Sequence, residues 1–371
     1  MQSLVLLERA LQPCHGRTGS AILVFQRHLN TQSQGRIPTA ISRISPARAS
    51  FSQPNTHPAS PFRSFSSSTS SSATIASEST ASASSGAACA TTISRPRLSP
   101  LPYIYLKDLP YNRASELQEL LVNRQIRLRK EREDRRAKNL DPVKDKKDDP
   151  TTSASPAEDG ATDLLLLVEH TPTYTNGRRN RGAQAISPTE TSRLQNLGAT
   201  YVESLRGGEI TFHGPGQLVA YPILDLKPIK LSVRCYVSYL EKAIIATCAE
   251  WGVKAITTEN TGVWINDHKK IAAIGVHVQR YITSHGLALN CNTDLGFFKE
   301  IIACGLTGKE TTSLAKELDD ASMTVPKVIP SFLYGFGATF NRSTSALSDV
   351  NPDLERRIQE YVQTGDATLL K

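Results

Sequence analysis

The chain has 371 residues with 43 Lys and Arg against 35 Asp and Glu, a formal charge of +8, and its length allows one large domain or two ordinary ones. The charge is uneven: residues 1–100 hold nine Arg and no Lys against only Glu8 and Glu78, about +7, which leaves about +1 on residues 101–371. A nearly neutral body argues against nucleic-acid binding, which needs a basic folded surface. No apolar run approaches the ~20 residues of a membrane-spanning helix.

Residues 1–100 alternate Arg with Ser, Thr, Ala and Pro, and Ser64–Ser85 is nearly pure Ser/Thr/Ala. Such a segment cannot bury enough apolar surface to fold and is predicted to be a disordered leader. Its Arg- and Ser-rich, acid-poor composition resembles an organellar import peptide, with Ala21–Leu29, Arg17 and Arg27 as the amphipathic part. A mitochondrial address is favoured over a chloroplast one. A secretory peptide fits worse, because Glu8, Arg9, His15 and Arg17 interrupt its apolar stretch.

The folded body is read from Leu101. Tyr103–Leu106 reads as a strand, and Ala114–Leu128 as a helix with Leu117, Leu120, Leu121, Ile126 and Leu128 on its apolar positions. Residues 129–160 change to alternating charge and then to Thr, Ser, Ala, Pro and Gly, which reads as a mobile surface insertion; a charged helix to about Asn139 is the alternative. Strands follow at Leu164–Glu169, Val202–Ser204 and Gln217–Leu224. A helix follows over Ser232–Trp251, its apolar face set by Val233, Val237, Leu240, Ile244 and Cys248. Short strands are predicted at Gly262–Asn266, Lys270–Val278 and Ser284–Asn290, and a helix at Asp353–Gln363 through Leu354, Ile358 and Val362. The irregular order of strands and helices gives an α+β class with a mixed sheet. The expected organisation is a leader at 1–100, one catalytic domain at 101–345 interrupted at 129–160, and a C-terminal helix and tail at 346–371.

Cys14, Cys89, Cys235, Cys248, Cys291 and Cys304 form no CxxC pair and no His spacing typical of zinc. In a reducing compartment a disulfide framework is not expected, and one thiol is free to work. His213, His277 and His285 lack nearby acids at ligand spacing, so no metal is implied.

Four segments carry candidate chemistry. Arg206–His213 followed by Gly214–Gln217 combines paired glycines, which let a ligand approach backbone N–H groups, with Arg206 to anchor an anion; a plain hairpin with a bulge is the competing reading. Lys270–Gly275 sets a lysine at the head of an apolar strand, where burial would favour its neutral form, although a snorkelling strand-edge lysine fits as well. Thr283–Asn290 brings His285, a base or a structural histidine, beside Gly286 and Ala288, small enough to leave room for a chain-like ligand. Ala303–Leu306 puts Cys304 before a glycine in a turn, where an exposed sulfur and free N–H groups would favour a thiolate and an oxyanion site.

In this order the four segments resemble the lipoyl(octanoyl) transferase family, with its Arg-Gly-Gly-acid-x-Thr-aromatic-His-Gly-Pro-Gly-Gln run, its Lys-Ile-Ala-x-x-Gly strand and its late Cys-Gly. The resemblance spans Leu101 to Phe340, with support at Leu164–His170, Tyr174–Thr175, Gly177–Arg179 and Thr311–Leu314. Ala303 departs from a common proline, Leu306 from a common isoleucine, and Lys269 doubles the lysine. The resemblance implies the catalytic fold of biotin and lipoate protein ligases, Cys304 as the acyl-accepting cysteine and Lys270 as the catalytic lysine. It further implies an acyl pocket lined by Arg206, Gly207, Gly208, Glu209, Ile210, Thr211, Phe212, His213, Ala273, Ile274, Gly275, Gly286, Leu287 and Ala288.

The implied reaction moves an octanoyl or lipoyl group from the phosphopantetheine arm of acyl carrier protein, through a Cys304 thioester, to a lysine of a lipoyl domain. That is the first step of endogenous protein lipoylation, without ATP or metal. The implied acceptors are apo-lipoyl domains of 2-oxoacid dehydrogenase complexes and the glycine cleavage H protein, in the mitochondrial matrix. A local basic patch of Arg178, Arg179 and Arg206 would receive the acidic carrier. An ATP-dependent lipoate or biotin ligase is the nearest rival, although the Gly-Arg-Gly-Arg-type phosphate loop is missing; a non-catalytic carrier-binding module would have no need of both Lys270 and Cys304.

Overall fold

The run Leu164–Val168 is buried along its whole length, which a strand achieves only when both faces of its sheet are covered. A computed structural model, which describes Cys89 and residues 99–138, 163–180 and 185–371, supplies that cover. In chain order the elements are β1 (Leu101–Leu109), α1 (Tyr111–Ala137), β2 (Leu164–His170), β3 (Thr173–Asn176), α2 (Pro188–Asn196), β4 (Thr200–Glu203), β5 (Thr211–His213) and β6 (Gln217–Ile223). They continue with α3 (Val233–Glu250), β7 (Val263–Trp264), β8 (Lys269–Gln279), β9 (Ile282–Asn290), α4 (Gly296–Lys299), β10 (Glu310–Thr311) and α5 (Leu314–Leu318). Last come α6 (Val325–Phe340), β11 (Thr344–Ala346), α7 (Leu347–Val350) and α8 (Pro352–Thr364).

The main sheet runs β10-β8-β9-β6-β2-β1-β11 with β7 against β8, and mixes parallel with antiparallel pairs. A second sheet, β4-β3-β5, is small. Alternate residues of each central strand feed opposite cores, as the two-residue period of a strand requires. Leu165, Leu167, Leu218 and Ala220 pack with α3 and α6, whereas Leu164, Leu166, Val168, Val219 and Tyr221 pack with α1 and α8. The α+β mixed-sheet expectation is met. No helix among the described residues is long and apolar enough to cross a membrane.

Several expectations change. The first helix continues to Ala137, so its charged extension is helix rather than insertion: Arg129 bonds Asp225 at 3.2 Å and the Arg280 carbonyl at 2.9 Å, and Glu133 pairs with Lys227 at 3.3 Å. The remainder of the predicted insertion, from residue 139, lies outside the described residues, as do residues 1–88 and 90–98 of the predicted leader. In α3, Val233 is exposed, because the buried face is rotated toward Tyr236, Tyr239, Leu240, Ala243, Ile244, Thr247 and Cys248. Cys89 and Cys235 form a disulfide with Cα atoms 5.5 Å apart, joining the segment before β1 to the first turn of α3 across 146 residues of sequence. No sequence spacing betrays a pairing that depends on the fold bringing those two segments together.

The helix over Val325–Phe340 was not foreseen. Pro326, Pro330, Gly335 and Gly337 look like breakers, yet Val328, Phe332, Phe336 and Phe340 recur at helical spacing and are buried. Gly335 lets α6 approach α3 closely, since a Cβ there would stand 2.9 Å from the Ala243 carbonyl oxygen.

Candidate functional site

Strands β5, β6, β8 and β9 and the turn before β10 enclose a cavity of about 250 Å³, near the lower end for small-molecule sites. Its wall brings together Arg206, Gly207, Gly208, Glu209, Thr211 and His213 from one segment, Ala273, Ile274 and Gly275 from β8, and Gly286, Leu287 and Ala288 from β9. Lys270 and Cys304 line the same cavity. Ile210 and Phe212 do not. β5 alternates, so Thr211 and His213 face the cavity while Phe212 turns away and stacks on Phe297 at 4.3 Å, in an aromatic core that also holds Tyr174 and Ile210.

Arg206 departs from its expected role. It is buried and spent internally: its guanidinium donates to the carbonyls of Thr175 at 2.7 Å, Glu209 at 2.8 Å and Gly207 at 3.0 Å, and to Thr175 Oγ1 at 2.8 Å. It cannot serve as a surface patch for a carrier protein; it pins the glycine loop. Arg178 and Arg179 are exposed, with backbone N–H groups bonded to the Arg206 and Gly208 carbonyls. The missing side chain of Gly275 lets this loop lie on β8, where the Gly207 N–H meets the Val276 carbonyl at 3.1 Å. Gly286 serves packing as well as space, since a Cβ there would collide with the Ala220 carbonyl of β6.

The Cys304 turn is strained. Cys304 has φ +57° and Gly305 φ +69°, and a left-handed conformation at a non-glycine residue costs of order 1–3 kcal/mol. The Cys304 N–H donates to the Ile210 carbonyl at 2.8 Å, and the Gly305 and Leu306 N–H groups bond Ile302 and Ala303. The expected free N–H groups are therefore occupied, because they hold the turn itself. A side chain at Gly305 would strike the Glu209 carboxylate, which packs against this turn.

A buried cluster of rings forms the floor of the cavity, Tyr111, His213, Tyr221 and His285 lining it and His170 lying behind them. His170 donates from Nδ1 to the Leu109 carbonyl at 2.7 Å, which leaves Nε2 to accept from the Tyr221 hydroxyl at 2.7 Å. His213 donates from Nδ1 to Gln217 Oε1 at 2.7 Å, while Gln217 Nε2 donates to the Phe212 carbonyl and to Asn290. Tyr111 stacks on His213 at 5.6 Å. Burial pushes His170 down to about 4 and His285 to about 3, and holds His213 well below the ordinary imidazole range. Burial keeps His285 a neutral ring at the cavity wall, and its buried Nδ1 has no hydrogen-bond partner among the described residues. Tyr111 and Tyr221 carried no signal because neither stands in a motif; only the fold places them under the cavity.

Among the described residues no group of three or more His, Cys, Asp or Glu is placed to hold a metal ion. The family model for the lipoyl protein ligase A/B catalytic domain matches residues 151–337. A mitochondrial relative from Danio rerio, named octanoyl-acyl-carrier-protein:protein N-octanoyltransferase LIPT2, is 50% identical over 184 residues, 49% of this chain and 80% of the relative. The Homo sapiens protein of the same name is 46% identical over 185 residues, 49% of this chain and 78% of that one. A solved bi-partite lipoate protein ligase from Thermoplasma acidophilum superposes with a TM-score of 0.45 at 14% identity, over 72% of this chain and 93% of that chain.

Proposed function

The chain belongs to the lipoyl protein ligase A/B catalytic-domain family and is an octanoyltransferase, and we propose that it transfers the acyl group through a thioester on Cys304, with Lys270 as proton carrier. The observation that carries this reading is that both side chains line one cavity that has a small and apolar side at Ala273, Ile274, Gly275, Gly286, Leu287 and Ala288.

In the first half-reaction Lys270 Nζ takes the proton of the Cys304 thiol, and the thiolate attacks the carbonyl of octanoyl-acyl carrier protein. The bond to the pantetheine sulfur breaks, and that sulfur leaves with the proton returned by Lys270. Acyl activation is conserved in the new thioester, so neither ATP nor metal is needed. In the second half-reaction Lys270 takes a proton from the incoming lysine ammonium of a lipoyl domain. The amine attacks the Cys304 thioester, the carbon–sulfur bond breaks as the amide forms, the second amine proton passes to the leaving sulfur and regenerates the Cys304 thiol, and Lys270 releases its extra proton to solvent.

The enzyme acts in the mitochondrion, in keeping with its relatives' names, and we place it in the matrix with apo-lipoyl domains of 2-oxoacid dehydrogenase complexes and the glycine cleavage H protein as acceptors. The test is octanoyl transfer from carrier protein to an apo-lipoyl domain, with and without ATP, by the wild type and by variants at Lys270 and Cys304. Transfer that ignores ATP and is lost in both variants supports the reading. Transfer that requires ATP and survives Cys304→Ala points instead to ligase chemistry.

A further inference from the structure

One part of the cavity wall takes no role in the reaction just described. Asn260 and Thr261 line the cavity, Gly262 follows at φ +127°, and Val263 and Trp264 form β7. A Cβ on Gly262 would stand 2.5 Å from Lys270 Cε and 3.2 Å from Nζ, so the ammonium group lies directly against this glycine. Nζ also stands 5.1 Å from the centroid of the Trp264 ring, whose negative face attracts a cation. Trp264 is itself fixed: it is fully buried and donates its indole N–H to the Asn260 carbonyl at 3.0 Å.

The backbone N–H of Gly262 donates to Glu241 Oε1 at 3.1 Å. A half-buried carboxylate of α3 therefore holds the glycine on which the ammonium rests. From this arrangement we propose that Glu241 is a positioning residue for Lys270, fixing the Gly262–Trp264 cradle beneath the ammonium and supplying the negative charge that faces it. The proposal rests on the reading of Lys270 as the proton carrier. Burial raises the Glu241 carboxyl, while the Gly262 N–H and the charge of Lys270 pull it back down, as a carboxylate close to that ammonium should behave. The other titratable groups of the cavity are Cys304, Glu209, Arg179, His213, His285, Tyr111, Tyr221 and Arg206. Lys242, next to Glu241 in α3, is turned onto the Tyr239 ring at 5.4 Å.

A negative charge beside an amine favours its protonated form, so the carboxylate stabilises the ammonium produced when Lys270 accepts the thiol proton. The test measures the single-turnover rate of acyl-enzyme formation with octanoyl carrier protein against pH, with Lys270→Met run alongside. Glu241→Gln keeps an acceptor for the Gly262 N–H but removes the charge. It should move the acidic limb of the profile to lower pH by roughly one unit, because the neutral amine is then reached sooner. Glu241→Asp retains the charge and should restore the limb. Glu241→Ala loses bond and charge and should slow the step about tenfold or more across the profile. A Glu241→Gln profile that superimposes on the wild type, with Lys270→Met inactive, overturns the proposal and leaves the role of Lys270 standing. An active Lys270→Met overturns both.

Discussion

Two sides of the cavity treat their polar groups in opposite ways. Along Arg206–Gln217 the donors and acceptors are spent on one another: Arg206 serves three carbonyls, His213 bonds Gln217, and Gln217 bonds Phe212 and Asn290. At the start of β8 and in the turn before β10 the reverse holds. Among the described residues, Lys270 Nζ meets a ring face and a glycine, and the Cys304 thiol is free. The segment densest in unusual residues is thus the one that braces the site, and the side chains fit to react stand where partners are few. A buried guanidinium and neutral imidazoles make a rigid frame, and rigidity is what a strained turn such as Cys304–Gly305 requires.

The largest effect on stability should follow from breaking the braced side. Arg206→Ala leaves the Thr175, Gly207 and Glu209 carbonyls without their donor in a buried place, and should cost about 3–5 kcal/mol in urea unfolding. Arg206→Lys should recover little of it, since an ammonium lacks the planar fork. A loss under 1 kcal/mol, against the roughly 1–3 kcal/mol expected for each unsatisfied group, would show that Arg206 is not the clamp.

Acid comes next. An imidazole depressed in the folded state binds its proton more readily when unfolded, so the unfolded chain carries more protons between the two values and stability falls as pH drops through that window. His170, held near 4 against an ordinary 6.5, should contribute stability that is complete above pH 6.5 and diminishes by roughly 3 kcal/mol on the way to pH 4. His213 and His285 act in the same direction. Urea midpoints at pH 7, 5.5 and 4.5 read this, and His170→Gln should flatten the dependence; an unchanged slope in that variant would remove His170 from the account.

Smaller still is the expected effect of Gly286→Ala, about 1–3 kcal/mol of overpacking against Ala220 and Pro222. Its signature is lost stability with an unchanged preference for acyl chain length. A shift to shorter chains at full stability would mean that Gly286 only shapes the pocket.

Much of this fold could be read from periodicity. Leu164–Glu169, Gln217–Leu224, Lys270–Val278 and Ser284–Asn290 fall within one or two residues of β2, β6, β8 and β9. The apolar spacing of Leu354 and Ile358 marks α8. What escaped was set by long-range packing. Helix α6 hides behind two prolines and two glycines that only its seat on α3 explains, and Val233 misled because the true face of α3 is set by buried tyrosines. In the site, Lys270 and Cys304 stood out through the family resemblance. Tyr111, Tyr221 and Glu241 did not, because each acts through a neighbour distant in sequence, and Trp264 did not, because its ring meets the Lys270 ammonium only once β7 turns back on β8. The occupied N–H groups of Cys304–Leu306 were equally hidden, since the acceptor for Cys304, the Ile210 carbonyl, comes from a segment more than ninety residues earlier.

The thioester route stands or falls on one sulfur. Intact-protein mass spectrometry after mixing with octanoyl carrier protein should show the wild-type chain gaining one octanoyl group and Cys304→Ala gaining none. A normal adduct on the Cys304→Ala protein would contradict the thioester on Cys304 and return the reaction to another nucleophile.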